Sequence, residues 1–160
     1  MNRITEPDPR CTLAALMPSF TRLAIPDLLL EEVIEHARED APIECCGLLA
    51  GHISESVGVV TTRFAIANEL RSRSDYLTEP RGMFLAFRAM RESGLELLAI
   101  YHSHPTSEPV PSLRDIDGNT YGESVVHLIV GLGGEKADAR GWWLTETGSR
   151  EAVVVAAGLV

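Results

Sequence analysis

The side chains most capable of chemistry are His102-Ser103-His104, followed after seven residues by Ser112 and then by Asp115. The two histidines close an apolar run, Leu95 to Tyr101, with the length and composition of a buried strand. Residues at i and i+2 of a strand project from one face, so both imidazoles enter the same space. Two imidazoles at the end of a rigid strand are suited to grip a metal ion. Zinc accepts nitrogen and oxygen donors, and its catalytic sites combine three protein ligands with one open position. A third donor must therefore lie close by, and Asp115 meets that need. Ser112 reads as a helix N-cap, which sets Asp115 on the first turn, facing back toward the loop. Pro105, Pro109 and Pro111 stiffen that loop and lower the entropy of holding the groups together. A His-x-His pair or a Ser-x-x-Asp capping box alone has ordinary structural uses. Their proximity behind an apolar strand favours a metal site.

Hydrolysis of an amide at such a site also needs a base to move a proton from water to the leaving amine. Glu44 is a candidate, at the junction between a helix and the apolar strand that begins at Cys45. Its spacing alone does not select it over the other acids.

The elements that must position these residues follow from periodicity. Leu30, Val33, Ile34 and Ala37 recur at helical spacing, with Glu31, Glu32, Glu35 and Glu39 outward, between a start at Pro26-Asp27 and a stop at Pro42. Cys45 to Gly51 and Val57 to Ala67 read as strands joined by a turn at Ser54-Glu55-Ser56. A second helix is expected from Pro80 to Gly94, with Met83, Phe84, Phe87 and Met90 as its core stripe. A short helix should follow Ser112, and three more strands are expected at Ser124 to Val130, Ala139 to Leu144 and Ala152 to Val155. This mixture predicts an α/β sandwich rather than a strictly alternating doubly wound sheet. His36 is expected on an exposed helix face, and His127 as a satisfied structural histidine. Trp142 and Trp143 should straddle a strand, one buried and one near the surface.

The chain has 160 residues, enough for one domain with a continuous core. Residues 1–23, with Pro7, Pro9 and Pro18, read as a loosely ordered arm before a domain at 24–160, and Met17 is a possible alternative start. The net charge of −9, from 14 basic and 23 acidic residues, argues against a nucleic-acid-binding face. No apolar run approaches transmembrane length. Three cysteines, Cys11 and the adjacent Cys45 and Cys46, make a poor disulfide framework, so a reducing cytoplasm is the expected compartment. The sequence leaves a homodimer open. A cysteine nucleophile would need a histidine partner, and the nearby histidines are assigned to metal.

His102-x-His104 with Ser112-x-x-Asp115 resembles the signature of the JAMM (MPN-plus) metalloprotease family. Pro42 to Gly51 is similar to that family's segment bearing the catalytic glutamate, which stands two residues before a Cys-Gly pair, as Glu44 stands before Cys46-Gly47. The resemblance spans about residues 25–156. It implies a JAMM/MPN fold, a curved mixed sheet flanked by helices and similar to cytidine deaminase. It further implies one Zn2+ per chain on His102, His104 and Asp115, with Glu44 as general acid/base and Ser112 donating to the developing oxyanion. The chain's compactness is similar to that of bacterial and archaeal members. The implied reaction is cleavage of a peptide or isopeptide bond at the C-terminal Gly-Gly tail of a ubiquitin-like or sulfur-carrier protein. Such a tail would add to a sheet edge, either Val57 to Ala67 or the chain from Asn68 to Tyr76. Two alternatives stand beside this reading: a zinc-binding scaffold without turnover, and a hydrolase of a small amide metabolite.

Overall fold

The structure is a computed structural model that describes residues 18–157. The expectations for residues 1–17, including Cys11 and a start at Met17, and those for 158–160 lie outside the described residues. Among the described residues eight strands form one mixed sheet: β1 (Arg22–Pro26), β2 (Cys46–Ser54), β3 (Val57–Ile66), β4 (Glu96–His104), β5 (Val126–Gly131), β6 (Asp138–Leu144), β7 (Ser149–Glu151) and β8 (Val153–Ala157). Their order across the sheet is β7-β6-β5-β4-β2-β3-β1-β8. The sheet curves until it nearly closes, since Ala152 N, between β7 and β8, donates to Gly141 O of β6 at 2.8 Å. Three helices of the described residues flank it: α1 (Asp27–Asp40), α2 (Pro80–Ser93) and α3 (Leu113–Asp117). No described helix is long and apolar enough to cross a membrane.

The expected elements form because their local signals agree. Glu55 and Ser56 both take positive φ (48° and 68°), the left-handed pair whose twist matches a two-residue hairpin between β2 and β3. In α2, the Glu79 carboxylate accepts from Arg81 N and Gly82 N at 2.9 and 2.6 Å, Pro80 opens the first turn, and Gly94 closes it at φ 65°. Two core layers lie on opposite faces of the sheet. One packs Leu23, Ile25, Val33, Ala37, Leu49 and Leu128, with α1 above; the other packs Leu48, Ile66, Ala86, Met90 and Ile100, with α2 above. Cys45 and Cys46 fall in different layers, as strand alternation requires.

Several expectations need correction. The arm does not extend to residue 23, because β1 starts at Arg22, and Phe20 and Leu23 are buried. Consecutive burial of Leu23, Ala24 and Ile25 between parallel neighbours β3 and β8 leaves no alternation to read. In α2, Phe84 and Phe87 are exposed, whereas Ala86 and Met90 are buried. The helix meets the sheet on its small side, where a Cβ on Gly82 would lie 3.4 Å from Ile66 Cγ2. Trp142 and Trp143 are both buried. His36 is half-buried rather than exposed, with Nδ1 2.8 Å from Tyr101 Oη.

Candidate metal centre

Both histidines occupy the last turn of alternation in β4, which is buried throughout this stretch. Between them Ser103 points to the opposite face, where its Oγ accepts from Cys45 N at 2.8 Å, and its own N donates to Cys45 O at 3.2 Å. Those two bonds, with Cys46 paired opposite His102, bring the start of β2, and so Glu44, beside the histidines. In the sequence Ser103 is only the spacer of His-x-His. Its role depends on a partner 58 residues away, which local spacing does not reveal.

The loop from Pro105 to Pro111 folds back over the end of β5. A Cβ on Gly131 would meet Pro109 N at 2.6 Å, so glycine is what allows this approach. Trp142 Nε1 then donates to Pro109 O at 2.8 Å and anchors the loop to β6. At its far end Ser112 caps α3 in a reciprocal capping box: Asp115 N donates to Ser112 Oγ at 3.2 Å, and Ser112 N donates to Asp115 Oδ2 at 2.7 Å. This box turns the Asp115 carboxylate toward the histidines. His102 Nε2 lies 3.2 Å from Asp115 Oδ1, and His104 Nε2 lies 3.4 Å from Asp115 Oδ2. The two Nε2 atoms are 3.1 Å apart.

The donor set fits a divalent cation. His104 Nδ1 is 3.0 Å from Glu108 O, an acceptor only, so Nδ1 carries the hydrogen and Nε2 of the neutral ring presents a lone pair inward. Two imidazole nitrogens and a carboxylate then converge within 4.8 Å. A cation between them satisfies three acceptors at once, and two nitrogens with one oxygen is a zinc-type set. Burial opposes ionisation of Asp115, but its bonds to His102 and His104 outweigh that and hold the carboxyl well below the usual carboxylate range. Burial also works against a charge on His104, yet the Asp115 bond and the Glu108 carbonyl raise its pKa.

Glu44 is buried at 5% exposure, and burial pushes its carboxyl up to about 7, with His104 acting against the shift and Asp115 with it. A carboxyl near neutrality can both accept and return a proton. Burial likewise pushes the Cys45 and Cys46 thiols up to about 11 and about 12, so neither supplies a thiolate at neutral pH. His127 is buried, but its Nε2 finds no partner among the described residues, contrary to the expectation of a satisfied side chain. Burial moves its pKa down to about 4.

Two residues that the sequence marks only as the ends of a candidate sheet edge also shape the site. Tyr76 stacks on His102, with ring centroids 4.7 Å apart and planes 23° apart. Asn68, 7% exposed, ties the chain around Tyr76 to Glu44 by donating to Glu44 O at 3.0 Å. An aromatic residue within the polar stretch from Arg71 to Glu79 was the available signal for the first. Beside Asp115, a cavity of about 230 Å³ opens between Tyr76 and Tyr121, with Leu48, Ile100 and His127 on its sheet side.

Comparison with known proteins agrees with this geometry. Residues 26–145 match the model for prokaryotic homologs of the JAB domain. A Thermus thermophilus protein, a probable TtuB-protein conjugate cleaving protease, is 36% identical over 133 residues, covering 83% of this chain and 82% of its own. A desampylase of Pyrococcus furiosus is 32% identical over 128 residues, covering 80% and 85%. The solution structure of a Desulfitobacterium hafniense protein superposes with a TM-score of 0.77 at 26% identity, covering 86% of this chain and 94% of that one. The match over most of the chain, with the fold and the clustered His102, His104 and Asp115, places the chain in the compact prokaryotic JAB (JAMM-type) family.

Proposed function

We propose that this protein is a zinc-dependent peptidase or isopeptidase that cleaves at the C-terminal Gly-Gly tail of a ubiquitin-like or sulfur-carrier protein. The convergence of His102 Nε2, His104 Nε2 and the Asp115 carboxylate beside a buried Glu44 carries the reading. The substrate class is supported by relatives named as a conjugate-cleaving protease, a desampylase and a CysO-cysteine peptidase. When bound, zinc supplies Lewis-acid polarisation of the scissile carbonyl and activation of water at neutral pH.

In this reading, His102, His104 and Asp115 are the ligands of one ion per chain. Glu44 accepts the proton of the attacking water and delivers it to the nitrogen of the leaving amine as the C–N bond breaks. Its elevated pKa suits both transfers. Ser112 Oγ already accepts from Asp115 N, which leaves its hydroxyl hydrogen free to donate to the developing oxyanion. The tail would approach along the chain from Asn68 to Tyr76, which borders the cavity beside Asp115. The free, buried thiols of Cys45 and Cys46 suit a reducing cytoplasm.

The test combines elemental analysis with mass spectrometry of carrier proteins bearing C-terminal adducts or lysine-linked extensions. The expected result is about one zinc per chain and release of a carrier ending in Gly-Gly. Glu44→Gln should retain the metal and lose about 10²- to 10⁴-fold in turnover. Undiminished cleavage by that variant would remove Glu44 from its role, and intact carriers after incubation with the zinc-loaded protein would remove the substrate class.

A further inference from the structure

The two histidines are restrained in different ways. His104 is held by the hydrogen bond from Nδ1 to Glu108 O. His102 has no counterpart: its Nδ1 is buried and without a partner among the described residues. The imidazole torsion χ2 has a broad minimum, so beyond the contact of its Nε2 with Asp115 at 3.2 Å this ring is oriented by packing. Tyr76 provides the packing, its ring lying 4.7 Å from that of His102 and nearly parallel to it.

Tyr76 is in turn held by a hub. Asn68 Nδ2 donates to Glu44 O and Asp75 O, both at 3.0 Å, and Asn68 Oδ1 accepts from Leu70 N and Leu77 N, both at 3.1 Å. These bonds use both donors and both acceptor positions of the amide. Glu44 N donates to Ser72 O at 2.9 Å, a second tie between the same loop and the candidate base. One buried side chain thus spans Glu44 and both backbone neighbours of Tyr76.

We propose that Tyr76, held by Asn68, is the positioning residue for His102, with ring stacking doing for this ligand what the Glu108 carbonyl does for His104. The inference rests on the reading of His102 as a metal ligand, and the test separates the two. Metal-free Tyr76→Phe, Tyr76→Leu and Asn68→Ala proteins are compared with wild type by long-range 1H–15N NMR of the His102 ring. Zinc affinity is then measured by competition with a chromophoric chelator, and melting of the metal-free forms monitors folding.

Tyr76→Phe keeps the ring and should behave as wild type in both assays. Tyr76→Leu should broaden or split the His102 signals and raise the zinc dissociation constant about ten-fold. Asn68→Ala should shift both in the same direction by less. A Tyr76→Leu protein with wild-type His102 signals would overturn the proposal, as would a Tyr76→Phe protein as impaired as Tyr76→Leu. If wild type binds no zinc, the metal reading fails, while the NMR comparison still decides whether Tyr76 orients the ring.

Discussion

Tyr101 and His102 are neighbours on β4, yet they lead into two polar regions of opposite character. Beneath α1, Tyr101 Oη meets His36 Nδ1 at 2.8 Å and Arg63 Nη1 at 3.1 Å. Arg63 Nε donates to Glu32 at 3.1 Å, and His36 Nε2 lies 3.4 Å from Asp40. Each group there has a protein partner, and the network is complete in itself. On the other face the groups converge without completing one another. Two imidazole nitrogens face each other at 3.1 Å, His102 Nδ1 and His127 Nε2 have no partner among the described residues, and Glu44 is buried with a raised pKa. Buried polar groups are normally satisfied, and unsatisfied ones mark places where stability has been exchanged for function. A complete network holds a fold; the incomplete one is where the proposed metal would bind.

Substitutions should break that contrast in different observables. The largest effect is expected from Asp115→Ala, which removes one of the three proposed ligands and leaves the histidines facing each other. Bound zinc and turnover should both fall below detection while the fold persists, checked by elemental analysis and circular dichroism. Ser112→Ala should cost about 10²- to 10³-fold in kcat and, through the lost cap, about 1 kcal/mol of stability. Tyr101→Phe is the control from the other face. It strands His36 and Arg63, should lower stability by about 1–3 kcal/mol in urea titration, and should leave zinc content and kcat unchanged.

The smallest effect sharpens the contrast through pH. Glu44 has its pKa raised from 4.5 to about 7 by burial. Below the lower value both folded and unfolded chains hold the proton, and Glu44 is neutral in the balance. Between the two values the unfolded chain releases it and the folded one keeps it, so stability falls as pH rises and stays lower above about 7. The metal-free wild type should therefore lose stability relative to Glu44→Gln across that window, read by denaturant titration at each pH. Parallel profiles for the two proteins would show that Glu44 is not held in a raised state. A gain in stability on removing a site residue, against a loss at Tyr101, is the signature expected of an incomplete network.

Much of the site was legible because its parts are short-range. His102-x-His104 needs only the two-residue alternation of a strand, and Ser112-x-x-Asp115 only the first turn of a helix. The mixed sheet and its flanking helices were also legible, from Pro26-Asp27, the Ser54-Glu55-Ser56 turn and the span from Pro80 to Gly94. Five-residue β1 was not, since both of its sides are covered by parallel strands and its pattern is uniform. The stripe of α2 departs from the helical pattern at Phe84 and Phe87 because periodicity defines a face without saying how closely the sheet approaches it.

The sequence by itself determined which groups could bind a metal and that Asp115 would sit on the first turn after Ser112, because those relations lie within a single strand or a single helical turn. Only the tertiary structure decided that Glu44 lies beside the histidines, that Ser103 stitches the two strands, that Asn68 ties the chain around Tyr76 to Glu44, and that Tyr76 stacks on His102. Each of these depends on the antiparallel pairing of β2 with β4 and on the return of the chain after β3. Those contacts join residues tens of positions apart, and the free energy that selects them comes from burying the whole sheet, not from any local pattern.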